Sequence, residues 1–141
     1  MNYNDKYQII KKFEDKASIK GPSLAPDGTL YISCGKTLYS LEPDGKTNWR
    51  YHLKFKISVR PVISSDEIIY TGTKNQIYAI DDYGITLWED QDYYISGFFG
   101  CALAEDEKTV YAGSDELIAY DTGDGEVKWA LDVNNNSPVI G

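Results

Sequence analysis

The chain has 141 residues, 42% of them hydrophobic, and a formal net charge of −8. That apolar content supports one folded domain rather than a disordered segment. The acidity argues against nucleic acid and anionic membrane surfaces, whose phosphates call for Lys and Arg.

Two cysteines, Cys34 and Cys101, are too few and too widely spaced for a disulfide scaffold, and two free thiols are expected. No apolar run approaches the roughly 18 residues of a membrane-spanning helix. Met1–Phe13 lacks the apolar core of a signal peptide, so a complete chain reads as cytoplasmic. For a piece of a longer protein the compartment is unknown.

In chain order, residues 7–13 read as a lone strand with Ile10 at its centre. Residues 19–51 form a first unit with Pro22, Leu30-Tyr31-Ile32, Leu41-Glu42, Gly45 and Trp49. Residues 57–90 form a second, the clearest of the three. In it Val59–Ser64, Ile68–Gly72, Gln76–Asp81 and Ile85–Asp90 are strands a, b, c and d, separated by Asp66-Glu67, Lys74-Asn75 and Asp82-Tyr83-Gly84. Turn residues every eight to twelve positions between Tyr-, Ile- and Val-rich runs predict antiparallel sheet. Residues 97–131 repeat the plan, with one residue fewer in the b–c turn and one more in the c–d turn. Ser137-Pro138-Val139-Ile140, within 136–141, resembles Gly21-Pro22-Ser23-Leu24 and is expected to open a further unit.

The tryptophans set the period: Trp49, Trp88 and Trp129 are 39 and 41 residues apart. Four residues before each stands a glycine, Gly45, Gly84 or Gly125, and shortly before each glycine an acid, Glu42, Asp81 or Asp121. A four-stranded repeat of about 40 residues is the arithmetic of a β-propeller blade. The predicted fold is all-β: three full four-stranded antiparallel blades with partial strands at both ends.

Ala79-Ile80-Asp81 with Gly84 and Trp88, and Ala119-Tyr120-Asp121 with Gly125 and Trp129, resemble the repeat of the pyrroloquinoline-quinone (PQQ)-like propellers. The first unit departs from it, with Ser40 for Ala and Glu42 for Asp. The resemblance extends over residues 7–141 and implies that Trp49, Trp88 and Trp129 dock between neighbouring blades near a glycine. Members include enzymes, outer-membrane assembly lipoproteins and sensor domains. The quinone dehydrogenases among them stack their cofactor on a disulfide of adjacent cysteines, which this chain lacks. No cofactor is therefore expected.

Little else suggests chemistry. His52 is the only histidine and reads as a solvated residue near strand d. One His and two separated Cys do not make a zinc site. Asp121–Glu126 lacks the ligand spacing of a calcium loop and reads as a c–d turn. Glu105-Asp106-Glu107 reads as a solvated a–b turn. Tyr93, Tyr94, Phe98 and Phe99, between the second and third units, either pack between blades or offer a partner contact. The expectation is a non-catalytic scaffold for a protein partner or for further blades, from the rest of a chain or another copy. The alternative is a ligand-binding or quinone-dependent oxidoreductase propeller whose active site lies outside this segment.

Overall fold

A computed structural model describes residues 19–90, 100–132 and, for the backbone alone, 137–139. These residues form three antiparallel sheets and no helix. The first holds β1 (Ile19–Leu24), β2 (Leu30–Cys34), β3 (Thr37–Leu41) and β4 (Thr47–His52) in sequential order. The second holds β5 (Val62–Ile63), β6 (Ile69–Gly72), β7 (Ile77–Ile80) and β8 (Thr86–Glu89). The third holds β9 (Gly100–Leu103), β10 (Thr109–Gly113), β11 (Glu116–Asp121) and β12 (Val127–Asp132), with β13 (Ser137–Val139) at its edge. The lone strand expected at residues 7–13 lies outside the described residues.

Two expectations about strands need correction. Strand a of the second sheet is only Val62–Ile63, shorter than the expected Val59–Ser64. Pro61 has no N–H to donate, and the Val59 carbonyl instead accepts from Thr71 Oγ1 at 2.8 Å. Ser137–Val139 does not open a new sheet either. It pairs antiparallel with β12, setting Pro138 opposite Leu131. The free N–H and C=O groups along the edge of β12 are a ready template for a strand that has no partner of its own.

One row of side chains explains the repeat. Across the first sheet Tyr31 faces Ser40, and Ser40 faces Trp49. The second sheet sets Tyr70, Ala79 and Trp88 in the same row, and the third sets Tyr111, Ala119 and Trp129. The small central residue leaves room for the flanking rings to meet above it, with centroids 5.9, 6.1 and 5.9 Å apart. Immediately after that residue each c–d pairing slips by one position.

The slip belongs to the turn that follows. In the second sheet the Gly84 amide donates to the Asp81 carbonyl at 3.0 Å, and Gly84 takes a positive φ of 82°. That is a type I turn closed by a left-handed residue, a position glycine occupies without steric cost. Asp81 Oδ1 accepts from the Tyr83 and Ile85 amides at 2.9 and 3.0 Å, which accounts for the acid of the motif. The third sheet's longer turn closes from the Gly125 amide to the Asp121 carbonyl at 2.8 Å.

The sheets stack face to face through two apolar clusters. Tyr31, Leu38, Ile69, Tyr78 and Ile80 fill the first interface, and Tyr70, Ile77, Trp88, Val110, Ile118 and Tyr120 the second. Strands β1, β5 and β9 neighbour one another, so strand a is innermost in each sheet. The a–b and c–d turns then lie at one end of the stack, and the b–c turns and d–a connections at the other.

Candidate functional site

The most developed constellation joins the sheets. The Trp49 indole of β4 lies over Gly84 of the second sheet, where a Cβ would stand 3.0 Å from the ring, and its N–H donates to the Asp82 carbonyl at 2.8 Å. Trp88 of β8 repeats this on the third sheet: a Cβ at Gly125 would stand 2.4 Å from the ring, and the indole N–H donates to the Thr122 carbonyl at 2.8 Å. Trp49 and Trp88 thus dock on the glycine turn of the following sheet, not on the glycine four residues before them.

The three tryptophans are not equally buried. Trp88 is 9% exposed, while Trp49 and Trp129 are only half-buried. Trp88 stacks on Tyr120 with centroids 6.2 Å apart, and the equivalent neighbour of Trp49 is the smaller Ile80. Trp129 stands on the outer face of the third sheet, the last sheet described. Gly45 takes a φ of 93° in the first sheet's turn.

The a–b turns contribute a second link that sequence reading missed. Glu67 and Glu107 take positive φ of 61° and 60°, unusual for a residue with a side chain. Each reaches back to the preceding sheet. Glu67 Oε2 accepts from the Tyr31 hydroxyl at 3.1 Å; the Glu107 carboxylate accepts from the Ser65 amide at 2.9 Å and from Ser65 Oγ at 2.6 Å. Glu107 is therefore a clamp and not merely a solvated turn residue. Only the register of neighbouring blades, invisible in local spacing, brings it to Ser65.

Burial shapes the titratable groups at these interfaces. Desolvation pushes Tyr70 up to about 12 and raises Tyr31 further. Desolvation chiefly, and a hydrogen bond with the Asp27 carboxyl, hold Glu67 above the usual carboxylate range. Cys101 is pushed up to about 12 by desolvation, so its thiol is a poor nucleophile near neutral pH. Neither Cys34 nor Cys101 forms a disulfide. The exposed His52 shares a hydrogen bond with Thr37 Oγ1 through Nδ1 at 2.9 Å. Among the described residues no group of three or more His, Cys, Asp or Glu side chains is placed to hold a metal ion, and no helix is long and apolar enough to cross a membrane. Tyr93, Tyr94, Phe98 and Phe99 lie outside the described residues.

A cavity of about 390 Å³ opens at the opposite end of the stack, between the first and second sheets. Lys20, Lys56 and Lys74 line it, together with Phe55, Ile57 and Asn75. The d–a connection is held across it by the Ile57 amide on the Gly35 carbonyl at 2.8 Å and by an antiparallel bridge between Ile57 and Thr73.

Sequential four-stranded sheets, with strand a innermost and the outer-strand Trp49 and Trp88 seated on the next sheet, define consecutive blades of a β-propeller. A family model described as PQQ_2, outer membrane protein assembly factor BamB, matches residues 11–137, and the chain belongs to that family. Solved structures share the fold. BamB from Moraxella catarrhalis superposes with a TM-score of 0.68 at 24% identity, covering 83% of this chain and 38% of that one. The Neurospora crassa Pan2 WD40 domain gives 0.73 at 11% identity over 82% and 38% of the two chains. Kuenenia stuttgartiensis hydrazine synthase gives 0.69 at 17% over 89% and 40%. The chain thus spans less than half the length of each of these three chains.

Proposed function

We propose that this chain is a non-catalytic propeller scaffold, and that one of its partners is another blade docking on the outer face of the third sheet. One observation carries the reading. Tyr111, Ala119 and Trp129 repeat the row that the following blade covers in the first two sheets, yet Tyr111 is half-buried where its counterparts Tyr31 and Tyr70 are 0% and 2% exposed. Rings patterned for a glycine turn are a surface of known complement. That complement comes from further residues of a longer polypeptide or from a second copy meeting this one head to tail. Two three-bladed arcs would make a ring of about six sheets, within the propeller range.

The test is size exclusion with light scattering across micromolar concentrations, for wild type and Trp129→Arg. The reading expects concentration-dependent association that Trp129→Arg weakens. A wild type monomeric to about 100 μM, unchanged in stability by Trp129→Arg, overturns it.

A further inference from the structure

The charges of this acidic protein are sorted between the two ends of the stack. The a–b turns carry Asp27, Asp66, Glu67, Glu105, Asp106 and Glu107, and the c–d turns add further acids such as Asp44, Asp82 and Asp124, outnumbering Lys46 and Lys108 at that end. At the opposite end, the first two blades place Lys20 at the start of β1, Lys36 and Lys74 in the b–c turns, and Lys54 and Lys56 in the d–a connection. Glu89 and Asp90 close strand d of the second blade at that end, and the third blade adds Asp115 and Glu116. The basic zone is therefore local, centred on the cavity lined by Lys20, Lys56 and Lys74. Among the described residues none of these three ammonium groups is paired with a carboxylate.

The cavity is also partly apolar. Phe55, 50% exposed, forms one wall with Ile57, and the Lys54 ammonium sits 5.5 Å from the Phe55 ring centroid. The backbone holding these groups is built rather than loose. The Leu53 amide donates to the Lys36 carbonyl at 2.8 Å, the Ser58 amide to Gly72 at 2.9 Å, and the Thr73 amide to Gln76 at 3.0 Å. A space of this volume, with an apolar wall and a cationic rim, accepts one apolar side chain and the carboxylates beside it.

We propose that this cavity is a docking site for an acidic peptide segment of a partner protein, in which an apolar side chain lies against Phe55 and flanking carboxylates meet Lys20, Lys56 and Lys74. The inference rests on the scaffold reading, because its occupant is a protein. It uses a different surface from the Trp129 face, so each can fail alone. Charge decides among occupants. A net charge of −8 disfavours an extended polyanion such as nucleic acid or an anionic bilayer, which would run past the basic zone onto acidic turns, whereas a short segment fits within it.

The experiment is a titration of isotope-labelled protein with a synthetic dodecapeptide alternating Glu and Leu, followed by amide resonances. The expected result is saturable shifts, at peptide concentrations up to about 1 mM, confined to the strand and turns around Lys20, Phe55 and Lys74 and weakened by salt. Lys20→Glu, Lys56→Glu and Lys74→Glu together should reduce affinity by about tenfold or more. The equal reversal Lys46→Glu, Arg50→Glu and Lys108→Glu, away from the cavity, should leave it within about twofold. Phe55→Ala should weaken it several-fold without changing the salt dependence. Absence of shifts, shifts elsewhere, equal loss in both triple variants, or tighter binding of phosphatidylglycerol vesicles or a single-stranded oligonucleotide would each overturn the proposal. Association through Trp129 would be untouched by any of these outcomes.

Discussion

The Trp88 indole lies so close over Gly125 of the next blade that a Cβ there would stand 2.4 Å from Cε3. Gly125 also takes a φ of 76°, so position and conformation exclude a side chain independently. Three glycines separate the two effects. Gly125→Ala should cost about 2–4 kcal/mol, combining left-handed strain with overpacking against a buried ring. Gly84→Ala meets Trp49 at 3.0 Å, a half-buried ring with room to yield, and should cost about 1–2 kcal/mol. Gly28→Ala has the positive φ but no atom within 4 Å, and should cost about 1 kcal/mol. Denaturant melts check the order, and equal losses at all three would show that the ring contact contributes nothing.

Removing the ring tests the same contact from its other side. Trp88→Ala should cost about 3–5 kcal/mol, the range for emptying a large aromatic site in a core. Trp49→Ala should cost clearly less, about 2 kcal/mol, because Ile80 covers it where Tyr120 covers Trp88. A change below about 1 kcal/mol for Trp88 in urea melts would contradict its place in the interface.

Glu107 sets a backbone cost against a carboxylate clamp. Glu107→Ala keeps the left-handed strain and loses the bonds to Ser65, so it should destabilise by about 1 kcal/mol. Glu107→Gly loses the bonds but relieves the strain and should be close to neutral. If alanine proves as harmless as glycine in thermal melts, the clamp contributes nothing.

Glu67 gives a pH dependence of known sign. Its folded pKa is raised, so the folded state holds the proton more tightly than the unfolded chain. Stability from this group is present below the unfolded value and falls as pH rises through the folded one. Glu67→Gln mimics the protonated form. It should match wild type at pH well below 4.5, the group's ordinary value, and become relatively more stable as pH rises towards 7. Paired melts across that range check this, and an advantage that shrinks with rising pH would reverse the assignment.

Much of the fold was legible because the repeat writes it three times. Tyr31, Tyr70 and Tyr111, the small Ser40, Ala79 and Ala119, and the three tryptophans occupy one row per sheet, and strand alternation turns that row into periodic spacing. What joins one blade to the next was not legible. Trp49 stands four residues from Gly45 in sequence but docks on Gly84, since strand d faces across the stack. The clamps of Glu67 and Glu107 depend on the same crossing. Lys20, Lys56 and Lys74 were scattered until the d–a connection folded over the b–c turns. Ser137–Val139 copies the spelling of a strand a, but pairing follows available edges, and it joined β12.

The central claim is that each blade's tryptophan seats on the glycine turn of the next. A nuclear Overhauser experiment on labelled protein tests it directly. The account predicts strong cross-peaks from the Trp88 Hε3 proton to the Gly125 Hα protons and from Trp49 Hε3 to Gly84 Hα, with none from Trp49 to Gly45. Intact cross-strand peaks within each sheet, with both inter-sheet contacts absent, would contradict it.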